Sequence, residues 1–329
     1  MKKFFKIAGY VLGGIVLLII AGFVYFNSKY PDVGKPKDIK VEISPERIKR
    51  GEYLANHVAG CMDCHAVRDW SKFSGPPKPG TLGIGGDKFG REMGFPGDIY
   101  AKNITPAAIG SWTDGELVRA ITQGVNKDDK ALFPLMPYLG FNHLTQEDLY
   151  SIVAYIRSLQ PQENKIPDTE LDFPLSLIVK TIPPGSYTPA AEPNRNDPAA
   201  YGKYLVTIAD CAGCHTPSVK GDPKPGMDYA GGEEFNFPQG VLRPANITPD
   251  KETGIGKWTK EEFIARFKAF DSDSARNMRV DPNGFNTIMP WTLFAGMTND
   301  DLGAIYDYLL SVKPVHNSVI HFTPAKLRE

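Results

Sequence analysis

The chain has 329 residues, with 37 Lys and Arg against 38 Asp and Glu, a formal charge of −1. That length holds two domains with connecting segments, and the balanced charge lacks the basic footprint that nucleic acid attracts, so no nucleic-acid partner is expected. Its 28 prolines and 32 glycines suit long loops wrapped around a few helices rather than dense regular structure.

The first element is apolar. Ile7 to Phe26 are 20 consecutive residues without a charge, long enough to cross a bilayer core as one helix. Lys2, Lys3 and Lys6 precede it, which places the N-terminus in the cytoplasm and the remainder across the membrane. A cleaved signal peptide is the rival reading. Such a segment is usually shorter and ends in small residues, whereas this one ends in Phe23-Val24-Tyr25-Phe26. Residues 1–28 are therefore expected to be a retained single-pass anchor in the cytoplasmic (inner) membrane, with the rest in the periplasm.

Beyond this segment the chain is an internal repeat. Gly51-Glu52-Tyr53-Leu54 answers Gly202-Lys203-Tyr204-Leu205; Gly85-Gly86 answers Gly231-Gly232; Asn103-Ile104-Thr105-Pro106 answers Asn246-Ile247-Thr248-Pro249; Trp112-Thr113 answers Trp258-Thr259; Met136-Pro137 answers Met289-Pro290. The copies occupy 44–160 and 199–313, each the size of one small domain. Between them, 161–198 carries eight prolines and reads as a linker. Its segment from Leu171 to Val179 is too apolar to stay fully solvated and is expected to pack on one or both copies. Residues 314–329 form a tail.

Within the copies the pattern is helical. Helices are expected through Ile48–Val58 and Ala200–Ala209. Four capping boxes mark further helix starts: Thr113 with Glu116, Thr145 with Asp148, Thr259 with Glu262 and Thr298 with Asp301. The two Asp versions are the weaker. After Thr145, Leu149, Ile152, Val153, Ile156 and Leu159 share one helical face; after Thr298, Leu302, Ile305, Tyr306 and Leu309 do so. Strand signals are few, so the fold class is all-α.

The four cysteines form two pentapeptides, Cys61-Met62-Asp63-Cys64-His65 and Cys211-Ala212-Gly213-Cys214-His215. Two thiols three residues apart can form thioethers to the two vinyl groups of one porphyrin, and the adjacent histidine can then ligate the iron. Two covalently bound haem c groups are expected. A four-thiolate zinc site leaves the His after each pair unexplained, and no thioredoxin-like pattern surrounds either pair. Covalent haem attachment outside the cytoplasm agrees with the N-terminal segment.

Each iron needs a sixth ligand or an open site. Of eight methionines, only Met136 and Met289 occupy equivalent positions, each followed by Pro and an aromatic. They are the expected axial ligands, opposite His65 and His215. His57, His143, His316 and His321 are the rivals, and none has a counterpart in the other copy. Trp112 and Trp258 are candidate hydrogen-bond donors to a haem propionate, with a plain helix-staple role as the alternative. Arg91 and Arg243 are candidate propionate counter-charges.

The repeated unit resembles the class I cytochrome c fold, in which a short helix before the haem motif crosses a C-terminal helix closely. Gly51 and Gly202 would permit that crossing, with Tyr155 and Tyr308 as aromatic partners on the last helix. The set of motifs resembles the cytochrome c subunits of bacterial membrane-bound alcohol and gluconate dehydrogenases, over about residues 44–313. The resemblance implies electron relay from a periplasmic dehydrogenase to the quinone pool or another acceptor. Members usually carry three haem motifs; this chain has two, so a quinol-oxidising complex or a terminal oxidase are further redox partners to consider. The other function class is a dihaem enzyme of the cytochrome c peroxidase type with one open haem site. Paired Met-Pro loops favour the electron carrier, which is not itself an enzyme.

Overall fold

A computed structural model describes residues 1–282 and 284–325. Helix α1 spans Lys2–Lys29 and buries none of its residues. Its best 18-residue window has a mean hydropathy of 2.5. An apolar helix with no buried residue fits a membrane anchor.

In the N-terminal copy, α2 runs Pro45–Tyr53; Ser44 caps it by accepting the Arg47 N–H, and Pro45 takes the first helical position. A π-helical turn follows over Leu54–Val58, then the one-turn α3, Cys61–Cys64. Short strands β1, Lys88–Phe89, and β2, Gly97–Tyr100, precede α4, Pro106–Ile109. Helices α5, Asp114–Gln123, α6, Tyr138–Phe141, and α7, Gln146–Ser158, complete it. The linker holds β3, Glu170–Leu171, and α8, Leu175–Ile178.

The C-terminal copy repeats the plan. Helix α9 spans Pro198–Ile208 and α10 Cys211–His215. Strands β4, Ser218–Val219, β5, Asp222–Pro223, β6, Phe235–Phe237, and β7, Gly240–Leu242, come next. Then come α11, Lys260–Lys268, α12, Asp273–Arg276, α13, Trp291–Phe294, and α14, Asn299–Ser311. Strand β8, Phe322–Pro324, ends the described chain; the last residues of the tail, 326–329, lie outside it.

The close crossing is present twice. A Cβ on Gly51 would stand 1.8 Å from the Ser151 carbonyl oxygen of α7 and 2.8 Å from Tyr155 Cβ. A Cβ on Gly202 would stand 1.8 Å from the Ala304 oxygen of α14 and 2.9 Å from Tyr308 Cβ. Only glycine lets these backbones touch. The two approaches differ in one respect. Gly51 and Cys61 are ten positions apart, whereas Gly202 and Cys211 are nine. The π-helical turn at Leu54–Val58 absorbs the extra residue, so both haem motifs emerge at the same stage of the crossing.

The all-α expectation needs correcting. Three small antiparallel sheets are present, β1-β2-β3, β4-β5 and β6-β7-β8. In two of them the outer strand comes from beyond the last helix of its copy: Gly97 pairs with Leu171, and Gly240 with Pro324. These strands have two to four residues and too little side-chain alternation to be read from sequence. The linker also packs unevenly. Val179 is buried, but Phe173 is 81% exposed and Ile178 is 48% exposed, so the apolar stretch is not buried as a whole. Tyr187 ties the linker down by donating to the Leu144 carbonyl at 2.9 Å.

One hydrophobic core runs through both copies, and includes Leu54, Leu149 and Ile152 with Leu205, Leu302 and Ile305. A reciprocal polar crossing joins them. Tyr53 donates to Asp301 Oδ2 and accepts the Thr298 N–H at 3.1 Å. Its counterpart Tyr204 donates to Asp148 Oδ2 at 2.6 Å and accepts the Thr145 N–H at 3.4 Å. This explains the two Asp capping boxes. At α5 and α11 the Glu side chain reaches back to the cap N–H and the box is complete. At α7 and α14 the shorter Asp turns to a tyrosine of the other copy, and that hydroxyl takes the cap N–H instead.

Candidate haem sites

Each haem motif is followed by a loop whose glycine returns to the histidine. Gly85 N–H donates to the His65 carbonyl at 3.2 Å, and Gly231 N–H donates to that of His215 at 2.7 Å. Both glycines hold left-handed φ, +67° and +72°, and a Cβ on either would strike the chain just before the Asn-Ile-Thr-Pro motif. That motif is a clamp. Asn103 Oδ1 accepts the Thr105 N–H at 2.8 Å while its amide donates to the Gln162 carbonyl at 2.7 Å. Asn246 does the same with Thr248, at 2.9 Å, and the Val315 carbonyl, at 2.8 Å.

The residue before each clamp supplies a fixed acceptor. His65 Nδ1 lies 2.6 Å from the Lys102 carbonyl oxygen, and His215 Nδ1 lies 2.7 Å from that of Ala245. A carbonyl only accepts, so Nδ1 carries the proton and the Nε2 lone pair is left for a metal. Burial holds both imidazoles below their ordinary pKa, partly offset by those carbonyls, and favours the neutral, ligating form. Burial also pushes the Cys61, Cys211 and Cys214 thiols up to about 12, and raises Cys64 likewise. All four are free. Among the described residues, no three His, Cys, Asp or Glu side chains are gathered as a metal-ion site, so the two Cys pairs do not converge on a four-thiolate centre.

In the N-terminal copy the expected residues surround one cavity of about 980 Å³. Cys61, Cys64, His65, Trp112 and Met136 all line it, with Ile104, Leu117, Ile121, Phe141, Ile152 and Ile156 as apolar wall. The size and lining suit a large, mostly apolar ligand with few polar anchors. Lys127 and Lys130 reach it, as do Asn27 and Tyr30 at the end of α1 and Ser176 and Lys180 of the linker. None of the rival histidines lines it. His57 Nδ1 meets the Leu293 carbonyl at 2.9 Å, His143 is exposed, His316 faces Asp250 and Glu252 at 3.6 Å each, and His321 Nδ1 lies 3.3 Å from the Arg243 carbonyl.

In the C-terminal copy, Cys211, Met289, Tyr229 and Tyr308 pack partly buried against the common core. The two methionine turns match: the Met136 carbonyl accepts the Tyr138 N–H at 2.7 Å, and the Met289 carbonyl accepts the Trp291 N–H at 2.8 Å. Trp258 is 38% exposed, and its carbonyl accepts the Tyr306 hydroxyl at 2.7 Å. Arg91 is paired with Asp98 and Asp172 and does not line the first cavity. Arg243 is paired with Glu234 and lines a smaller cavity of the C-terminal copy beside Gly231 and Gly232. Sequence reading missed the carbonyls of Lys102 and Ala245 as individual acceptors, although their place beside a repeated motif was a usable signal.

Residues 199–313 match the cytochrome c family. That stretch is a cytochrome c domain. The chain is 30% identical over 295 residues to the cytochrome c subunit of a quinone alcohol dehydrogenase from Gluconacetobacter polyoxogenes, covering 84% of this chain and 58% of that protein. A fructose dehydrogenase cytochrome subunit from Gluconobacter japonicus is 31% identical over 278 residues, covering 80% of this chain and 52% of that protein. A dihaem cytochrome c-type protein from Cereibacter sphaeroides is 26% identical over 255 residues, covering 72% and 79%. The chain thus spans little more than half the length of the dehydrogenase subunits it resembles. Cytochrome c domains carry covalently bound haem c, and the cysteine pair, the aligned imidazole and the apolar cavity fit that group.

Proposed function

We propose that this chain is a membrane-anchored dihaem electron carrier, built of two tandem class I cytochrome c units at 44–160 and 199–313. The observation that carries this reading is the duplicated histidine geometry, in which both imidazoles give Nδ1–H to the carbonyl before an Asn-Ile-Thr-Pro clamp. In each unit two cysteines hold the porphyrin covalently: Cys61 and Cys64, then Cys211 and Cys214. His65 with Met136, and His215 with Met289, ligate the irons. Bound haem supplies a reversible one-electron couple, and thioether ligation raises its potential. Protein ligands on both faces leave no open position for peroxide, which favours a carrier over a peroxidase. Trp112, at the cavity wall, donates to a propionate, and Trp258 takes the same role in the second unit.

Helix α1 anchors the protein in the cytoplasmic membrane, with the haem units in the periplasm. Both units are held at the membrane surface, because the end of α1 lines the first cavity and the common core joins the units. The partners are redox proteins. A membrane dehydrogenase is the first candidate donor, given the relatives; a quinol-oxidising complex or a terminal oxidase are the others. The haem content decides the reading. A pyridine haemochrome assay on the detergent-extracted protein is expected to give two covalent haems per chain, and a value of one would contradict it.

A further inference from the structure

The loop 69–76 of the N-terminal copy lies against the turn that carries Met289. Ser74 is 1% exposed and holds φ +66°, a left-handed backbone that costs a residue with a side chain free energy. Its N–H and its hydroxyl are both used on the other copy. The N–H donates to Asn286 Oδ1 at 2.9 Å. The hydroxyl donates to the Met289 carbonyl at 2.5 Å and accepts the Trp291 N–H at 3.0 Å. Asn286 answers by donating to the carbonyls of Trp70 and Lys72.

The strained turn is held from behind. The buried Arg68 guanidinium donates to the Ser74 carbonyl at 2.9 Å, the Gly75 carbonyl at 2.8 Å and Asp63 Oδ2 at 2.9 Å, and stacks 4.1 Å from the Trp70 ring. Asp63 lies between Cys61 and Cys64. A continuous set of contacts therefore runs from the first haem motif to the backbone of Met289. A strained, fully buried serine with every hydrogen bond made is the mark of an over-determined position, not of loose interface filling.

We propose that Ser74 is a positioning residue for Met289, its hydroxyl fixing the Met289 turn from outside the C-terminal copy so that the thioether competes well for iron. This rests on the reading of Met289 as an axial ligand. Holding a ligand's backbone lowers the ordering cost of each binding event, and loss of the hydroxyl releases that hold.

The test uses the full-length holoprotein carrying Met136→His, in which the Met-to-Fe(III) absorption band reports the second haem alone. Imidazole is titrated against that band. Ser74→Ala is expected to lower the imidazole concentration for half-displacement about tenfold, the scale of one hydrogen bond. Ser74→Gly, which loses the hydroxyl but relieves the backbone strain, is expected to shift it comparably. Two results overturn the proposal: no shift in either variant, or a shift in Ser74→Ala with Ser74→Gly unchanged, which would assign the effect to backbone shape. Met289→Ala in the same background must abolish the band. Its persistence would overturn the ligand reading itself, and Ser74's role with it.

Discussion

At the scale of single residues, the chemistry rests on which nitrogen of each histidine is free. The Lys102 and Ala245 carbonyls settle that in both copies. The sixth position is where a single substitution is most informative. Met136→His is expected to leave haem attached, since Cys61 and Cys64 are untouched, while replacing a soft neutral ligand with imidazole. Its midpoint potential should fall by on the order of 0.1 V, within the roughly 0.8 V range that axial ligands span; an unchanged redox titration would argue against Met136 as ligand. Asp87 makes a second prediction. Burial pushes its carboxyl up to about 7, with Arg68 offsetting part of that and Asp63 adding to it. Because the folded-state pKa lies above the unfolded value near 3.8, this group favours the fold at low pH. That contribution is lost as pH rises towards 7. Asp87→Asn should therefore stabilise the protein relative to wild type at pH 8, with the difference shrinking to nothing near pH 4. Thermal unfolding at both pH values reads this directly, and a pH-independent difference would contradict it.

At the scale of elements, the helix crossings are the most rigidly specified part of the fold. Gly51→Ala and Gly202→Ala each place a methyl group 1.8 Å from a backbone carbonyl oxygen that cannot turn aside. Each should destabilise its copy by about 3 kcal/mol, the upper end of overpacking costs, as measured by denaturant unfolding. A loss below about 0.5 kcal/mol, the scale of an ordinary surface substitution, would mean the helices are free to move apart. These crossings were legible in sequence because a glycine and an aromatic recur in step with each haem motif. The four helix starts were legible through their caps. The short strands were not, because pairings such as Gly97 with Leu171 rest on backbone groups far apart in the chain. The π-helical turn was visible only as an unexplained one-residue difference between copies. Of the candidate site, the residues that line the first cavity, Cys61, Cys64, His65 and Met136, were legible as repeated residue types. The carboxylate partners of Arg91 and Arg243 were not legible, since charge alone cannot show which nearby Asp or Glu holds a guanidinium.

At the scale of the whole molecule, duplication has produced a pair that shares one core rather than two beads on a string. Tyr53 and Tyr204 each complete the helix cap of the other copy. Tyr53→Phe would leave the buried Asp301 short of a donor and the Thr298 N–H short of an acceptor. It should cost about 1–3 kcal/mol, and the double variant with Tyr204→Phe should separate a single urea transition into two; retention of one unshifted transition would show the crossing to be passive. A shared core also fixes the distance between the two Cys-x-x-Cys-His motifs. The central claim is that both irons are held by one histidine and one methionine. The most direct test is the intensity of the Met-to-Fe(III) absorption band in the oxidised, purified protein, normalised to covalent haem. The account predicts two haems and the full band intensity of two His/Met centres, with no carbon monoxide binding to the reduced form. Half the intensity, or ready carbon monoxide binding, would contradict it and point to an open site of the peroxidase kind.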